Sequence, residues 1–175
     1  EEQFPAADPS REAMASLKDQ LIALSDDVHR ISRQLHPAIL DDLGLEDALR
    51  SECDRFAERE GVVTHFHCGD LPDRLPKDIA LCLYRIAQEA LRNVAKHAQT
   101  DRVELVLNAD AEFLDLEVRD FGRGFFPAEV RCQPGLGLAS MEERTRLVGG
   151  ELTVSSVPSQ GTSIAVRIPL LEDDT

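Results

Sequence analysis

Glu89, Asn93, Lys96 and His97, all within the segment Tyr84 to Ala98, have the types and spacing that metal-assisted phosphate chemistry uses. If the segment is helical, Glu89 and Asn93 lie four apart on one face, and Lys96 and His97 follow one turn on. Magnesium prefers hard oxygen ligands and keeps waters while it bridges phosphates. An Asn carbonyl can bind such an ion, a neighbouring carboxylate can orient a water or take a proton, and a Lys balances phosphate charge. The same four residues would also suit the wet side of an ordinary amphipathic helix, so the grouping alone leaves both readings open.

Three further clusters follow in the chain. Asp120-Phe-Gly-Arg-Gly124 comes directly after an alternating apolar segment. A carboxylate at a strand end can accept a hydrogen bond from an exocyclic amine such as that of adenine, and two glycines let a planar ligand approach the main chain. An Asp-capped tight turn would look the same. Gly135-Leu-Gly-Leu138 opens a helical pattern, where free backbone N–H groups bind phosphate and glycines permit close approach. Gly161-Thr162 enters the last apolar segment and could present a hydroxyl to a base or an ordered water.

These clusters need scaffolding, and the hydrophobic pattern supplies it. A helix is predicted from about Pro76 to Ala98, with Ile79, Leu83, Ile86, Ala87, Ala90, Leu91 and Val94 inward and Pro76 at its first turn. Strands are predicted at Val62 to Cys68, at Val103, Leu105, Leu107 and Ala109, and at Leu114, Leu116 and Val118. A helix from about Leu138 to Val148 leads through Gly149-Gly150 into a hairpin with Leu152 and Val154 in one strand and Ile164, Val166 and Ile168 in the other. The expected fold class is α+β, a two-layer α/β sandwich whose mixed sheet is covered by helices on one face.

Upstream, residues 1–10 read as a disordered lead-in with Pro5 and Pro9. Met14, Leu17, Leu21, Leu24, Val28, Ile31 and Leu35 then recur at spacings of three and four, a coiled-coil-like seam over 11–36 that favours a homodimer over packing within the domain. Residues 37–61 form a connector, Pro37 to Gly44, and a helix with Leu45, Leu49, Cys53, Phe56 and Ala57 inward, ending at the C-cap Gly61. The globular domain is expected over 62–171, with a tail at 172–175.

A net charge of −14 argues against a nucleic-acid partner, which needs a clustered basic surface. It also means that an anionic ligand requires local donors and a divalent cation. The cysteines, Cys53, Cys68, Cys82 and Cys132, form no CxxC pair and read as reduced, buried residues of a cytoplasmic protein. No apolar run approaches twenty residues, so no membrane contact is expected in this segment, although an anchor elsewhere in a parent protein is compatible with it.

The order of the motifs carries a resemblance. From about Val62 to Leu170 the chain resembles the Bergerat ATP-binding domain shared by gyrase-type ATPases, mismatch-repair ATPases and histidine kinases. The stretches QEALRNVAKHA, DFGRGF and GLGLASMEERTRLVGGELTVSSVPSQGTSIAVRIPL, with the stretch from Arg33 to Leu49, are similar to the nitrate-sensor-like class of bacterial sensor histidine kinases. The resemblance implies ATP and Mg²⁺ as cofactors. Asn93 would ligate the metal, and Glu89 would be a carboxylate standing behind that ligand, next to the metal, or a base. Lys96 and His97 would meet phosphates or ribose, and Asp120 would read the adenine amine. Gly122 and Gly124 would make room for the base, and Thr162 would support it. A lid from about Phe125 to Pro134 would be hinged at Gly135 and Gly137, next to Leu136 and Leu138. Phe121 and Phe125 are candidates to pack on the base, with core packing the alternative for at least one.

In that class an acidic residue follows the phosphorylated histidine, whereas none follows His29, His36, His65, His67 or His97. The resemblance therefore implies that the acceptor helix lies upstream, that the heptad helix is the second of the dimerisation pair, and that this chain binds ATP without phosphorylating itself. A response regulator receiver domain is the implied protein partner. The alternatives on the same fold are a conformational ATPase and an anti-sigma-type serine kinase, and the heptad seam counts against both. His65 and His67 share a strand face beside Cys68, where a solvent-facing edge is expected in preference to a metal site.

Overall fold

A computed structural model of the chain describes residues 38–72, 74–126 and 136–170. The heptad segment 11–36, His29, His36, Cys132, Gly135 and most of the expected lid lie outside the described residues.

The first helix, α1 (Ala38–Glu60), is broken at Gly44, whose φ of 80° and ψ of 177° no helical residue adopts. The expected connector is thus already helical from Ala38, with the kink at its glycine. Beyond the kink, Leu45, Ala48, Leu49, Cys53 and Phe56 fall on one helical face and are buried. Gly61 ends the helix with φ 68° and its N–H on the Ala57 carbonyl at 2.9 Å, as a C-cap glycine should.

After strand β1 (Val63–Cys68) comes α2 (Lys77–Asn93), which buries Ile79, Cys82, Leu83, Tyr84, Ile86, Ala87, Ala90 and Leu91. The predicted helix does reach Ala98, but its last turn, Val94–Ala98, is π-helical. Such a turn takes in an extra residue and commonly marks a functional position. Gln99 closes it in the left-handed region at φ 53°.

Strands β2 (Arg102–Ala109) and β3 (Phe113–Asp120), helix α3 (Leu136–Leu147) and strands β4 (Glu151–Val157) and β5 (Gly161–Pro169) complete the order. The five strands form one mixed sheet, β1-β2-β3-β5-β4, parallel only between β1 and β2. A parallel pair requires a crossover, which α2 provides.

Strict alternation sorts the sheet into two faces. Inward, Leu107 pairs with Leu116 and Leu116 with Val166; Leu105 pairs with Val118 and Val118 with Ile164. These rows, with the buried faces of α1 and α2, make one core. Outward lie polar pairs such as Arg167 with Asp115, joined at 2.9 and 3.0 Å, and Ser163 with Glu117 at 2.6 Å. Helices therefore cover one face, as the patterning predicts.

α1 is pinned to α2 by a polar knot. Tyr84 Oη, Gln88 Nε2 and Arg55 Nη2 all donate to Glu52 Oε2, at 3.0, 3.1 and 2.9 Å.

Candidate functional site

The inner face of the sheet changes character in its last row. One step beyond the Leu105–Val118–Ile164 row, Val103 pairs with Asp120, Asp120 with Thr162 and Thr162 with Ser156. The alternation that directs leucines and valines inward therefore also directs a carboxylate and two hydroxyls inward, at the sheet's end.

A cleft of about 350 Å³ opens over this row. Ala90, Val94 and Ala98 form one wall, Val118, Val154 and Ile164 the sheet floor, and Phe125 and Leu138 close other sides. The polar residues lining it are Asn93, His97, Asp120, Arg123 and Thr162. An apolar slot with few convergent polar groups suits a flat organic ring with a charged appendage.

Asp120 is 6% exposed, and its Oδ1 accepts the Gly122 N–H at 2.9 Å. That is its hydrogen bond among the described residues, which leaves acceptor capacity for a ligand. Gly122 and Gly124 chiefly make room for protein backbone: a Cβ on Gly122 would strike the Ala98 carbonyl, and one on Gly124 the Val157 carbonyl. The Arg123 N–H donates to that same Ala98 oxygen at 2.8 Å, locking the loop to the end of the π turn.

Asn93 ends the α-helical part of α2, and His97 lies in the π turn. Glu89 stands one turn before Asn93, with Oε2 held by Arg92 Nη1 at 2.7 Å. A Cβ on Gly137 would meet Glu89 Oε1, so the first turn of α3 and Glu89 are immediate neighbours. The donors suit a magnesium ion that retains phosphate and water ligands: an amide oxygen from Asn93 and a carboxylate nearby. Among the described residues no group of three His, Cys, Asp or Glu could form a closed protein cage.

Not every expected residue joins this cleft. Lys96 is exposed and borders a separate groove with Glu52, Gln88 and Arg92. Phe121 is 38% exposed on the outer sheet face, with Arg102 at 4.6 Å and Arg119 at 5.1 Å over its ring, so it packs neither in the core nor in the cleft. One position after an inward Asp120, alternation turns it outward. His65 and His67 are exposed, their rings stacked at 6.5 Å. Gly137, Leu138 and Thr162 do border the cleft, and the backbone of Leu136 begins α3.

Sequence reasoning missed Ser156 and Arg123. Ser156 continues the inward alternation of Leu152 and Val154, and that was its signal. Arg123 sits in an irregular loop where no periodicity points anywhere.

The profile of the histidine kinase-, DNA gyrase B- and HSP90-like ATPases matches residues 79–172, the span that holds the cleft. The chain belongs to this ATPase family. Sensor kinases are among its relatives: the oxygen sensor histidine kinase NreB of Staphylococcus carnosus (strain TM300) is 37% identical over 149 residues, 85% of this chain. The chain spans 43% of that relative's length. The histidine kinase domain of the blue-light activated histidine kinase from Erythrobacter litoralis EL346 superposes with a TM-score of 0.59 at 23% identity, covering 72% of this chain and 61% of that one. The Acinetobacter baumannii histidine kinase AdeS gives a TM-score of 0.60 at 11% identity, over 97% and 88% of the two chains. These two likenesses establish the fold, a Bergerat-type mixed sheet with helices on one face. In this chain, the sheet row at Asp120 and the turn at Asn93 both border the cleft. No helix among the described residues is long and apolar enough to cross a membrane.

Proposed function

We propose that this chain is the ATP-binding catalytic domain of a two-component sensor histidine kinase. It would present the γ-phosphoryl of Mg-ATP to a histidine on a dimerisation helix of the parent protein. The observation that carries the reading is the placement of Asp120 and Thr162 at one end of an apolar cleft that Asn93 and His97 also line.

In this reading the purine lies between the Ala90–Val94 wall and the Val154–Ile164 floor. Asp120 accepts a hydrogen bond from its amine, and Thr162 supports the same edge. Asn93 supplies the metal's amide oxygen, and Glu89, oriented by Arg92, holds a metal-bound water or takes a proton. His97 and Arg123 offer donors to the phosphates or ribose, and the N–H groups of Leu136, Gly137 and Leu138 at the start of α3 favour anionic oxygens. A magnesium ion bound there would neutralise phosphate charge in a protein of net charge −14. Catalysis then rests on positioning and charge compensation, as phosphoryl transfer generally does. The proposed partners are ATP and ADP, a second copy of the parent chain through the heptad segment, and a receiver domain that takes the phosphoryl group onward.

Titration with Mg-ATP tests the reading. Asp120→Asn should weaken every adenine nucleotide, whereas Asn93→Ala should abolish the gain that magnesium gives. Unchanged affinity and magnesium response in both variants would refute the site. Supplying the acceptor helix as a separate peptide should yield an acid-labile phosphate on it. Hydrolysis without transfer would favour a conformational ATPase, and acid-stable phosphoserine an anti-sigma-type kinase.

A further inference from the structure

Ser156 is 7% exposed at the β4 end of the polar row. Its Oγ accepts the Phe125 N–H at 2.9 Å, donates to the Gly161 carbonyl at 3.1 Å, and lies 3.0 Å from Thr162 Oγ1. A serine hydroxyl has one proton to give. With that proton on the Gly161 carbonyl, the bond between the two hydroxyls has to be donated by Thr162. What Thr162 then turns to the cleft is lone pairs. Asp120, its partner across β3 and β5, offers acceptors as well.

We propose that Ser156 is a positioning residue for purine specificity: by engaging the Thr162 proton, it leaves the closed end of the cleft with acceptors alone, which selects a 6-amino purine over a 6-oxo purine. An amine facing that end has protons for it, whereas a carbonyl oxygen there sets lone pairs against lone pairs. Donor–acceptor mismatch in a buried site discriminates strongly because the unpaired group has lost its water. Ser156 also anchors the start of the Phe125 segment, so one side chain ties the base's edge to its covering wall. The inference rests on the nucleotide reading above.

The test compares Mg-ATP with Mg-ITP, which carries oxygen at the purine 6-position, by calorimetry on the whole chain. Wild type should prefer ATP. In Ser156→Ala the Thr162 proton is released, so the ATP-to-ITP preference should shrink by about fivefold, the size of one neutral hydrogen bond. Ser156→Thr retains the hydroxyl and should retain the preference. Thr162→Val, which keeps the shape of the side chain, should lose preference, through weaker ATP binding and relief of the lone-pair clash with ITP, and it decides the matter if Ser156→Ala does not fold. A merely structural role for Ser156 would weaken both nucleotides equally. An unchanged preference in Ser156→Ala and Thr162→Val would overturn the inference while leaving the nucleotide site intact, provided that Asp120→Asn still loses ATP. If Asp120→Asn binds ATP as wild type does, the nucleotide reading itself falls, and this inference with it.

Discussion

Asp120 on β3 and Thr162 on β5 face each other across an antiparallel pair, on the sheet face that a few residues away is wholly leucine, isoleucine and valine. No special loop is needed to aim them. The pleat that buries Leu114, Leu116 and Val118 carries Asp120 inward at the next step, where the cleft opens between the sheet and the helix end that carries Ala90, Val94 and Ala98.

The first prediction concerns that carboxylate. Asp120→Asn replaces an acceptor with an amide that can present the wrong group to an amine. A lost charge-assisted hydrogen bond is about 2 kcal/mol, or roughly thirtyfold in Kd for ATP, ADP and AMP alike. Fold stability should change little, because the Gly122 N–H can still bond to the amide oxygen. Calorimetry and a thermal melt together check both parts.

Gly122→Ala should destabilise the protein by about 2 kcal/mol, since overpacking against rigid backbone has few ways to relax. The clash is with the Ala98 carbonyl, which already accepts the Arg123 N–H. Urea unfolding should show a lower midpoint, and nucleotide affinity should fall as well because the π turn carrying His97 has to shift.

Glu52→Ala should cost about 2 kcal/mol through the buried Tyr84 hydroxyl and the Gln88 amide it leaves without their acceptor. Glu52→Gln keeps an oxygen and should recover much of that loss. Denaturant midpoints of the two variants provide the comparison. Tyr84→Phe in the Glu52→Ala background should restore part of the stability, because the orphaned hydroxyl is then gone.

Alkaline pH should weaken the fold through its buried thiols. Burial pushes Cys53 up to about 12 and Cys82 up to about 11, from an ordinary value of 9.0. Once the pH passes about 9, the unfolded chain sheds protons that the folded protein keeps, so stability falls as pH rises and is untouched below about pH 8. Urea midpoints at neutral and alkaline pH should diverge less in Cys53→Ala than in wild type. An equal divergence would mean that other groups set the alkaline limit.

Much of this arrangement was legible in the residues, and the misses have physical causes. Apolar alternation foretold β2, β3 and the closing hairpin with their inward faces, and the three-four spacing from Ile79 to Val94 foretold the buried side of α2. The π turn was not visible, because periodicity over one turn cannot distinguish an α from a π advance. That matters for Lys96, which an α-helical reading places near Asn93 but which borders another groove. Phe121, a candidate with Phe125 to pack on the base or in the core, does neither, because the same alternation that turns Asp120 inward sends it out between Arg102 and Arg119. Alternation after Leu152 and Val154 turns Ser156 inward but does not say what it meets. Only the pairing of β4 with β5 shows that it adjoins Thr162.

The most direct measurement is a crystal structure of the chain with magnesium and a non-hydrolysable ATP analogue. The account predicts the purine amine within hydrogen-bond distance of the Asp120 carboxylate, and the metal ion on the Asn93 side-chain oxygen. Nucleotide bound elsewhere on the surface, with the cleft between α2 and the sheet empty, would contradict it.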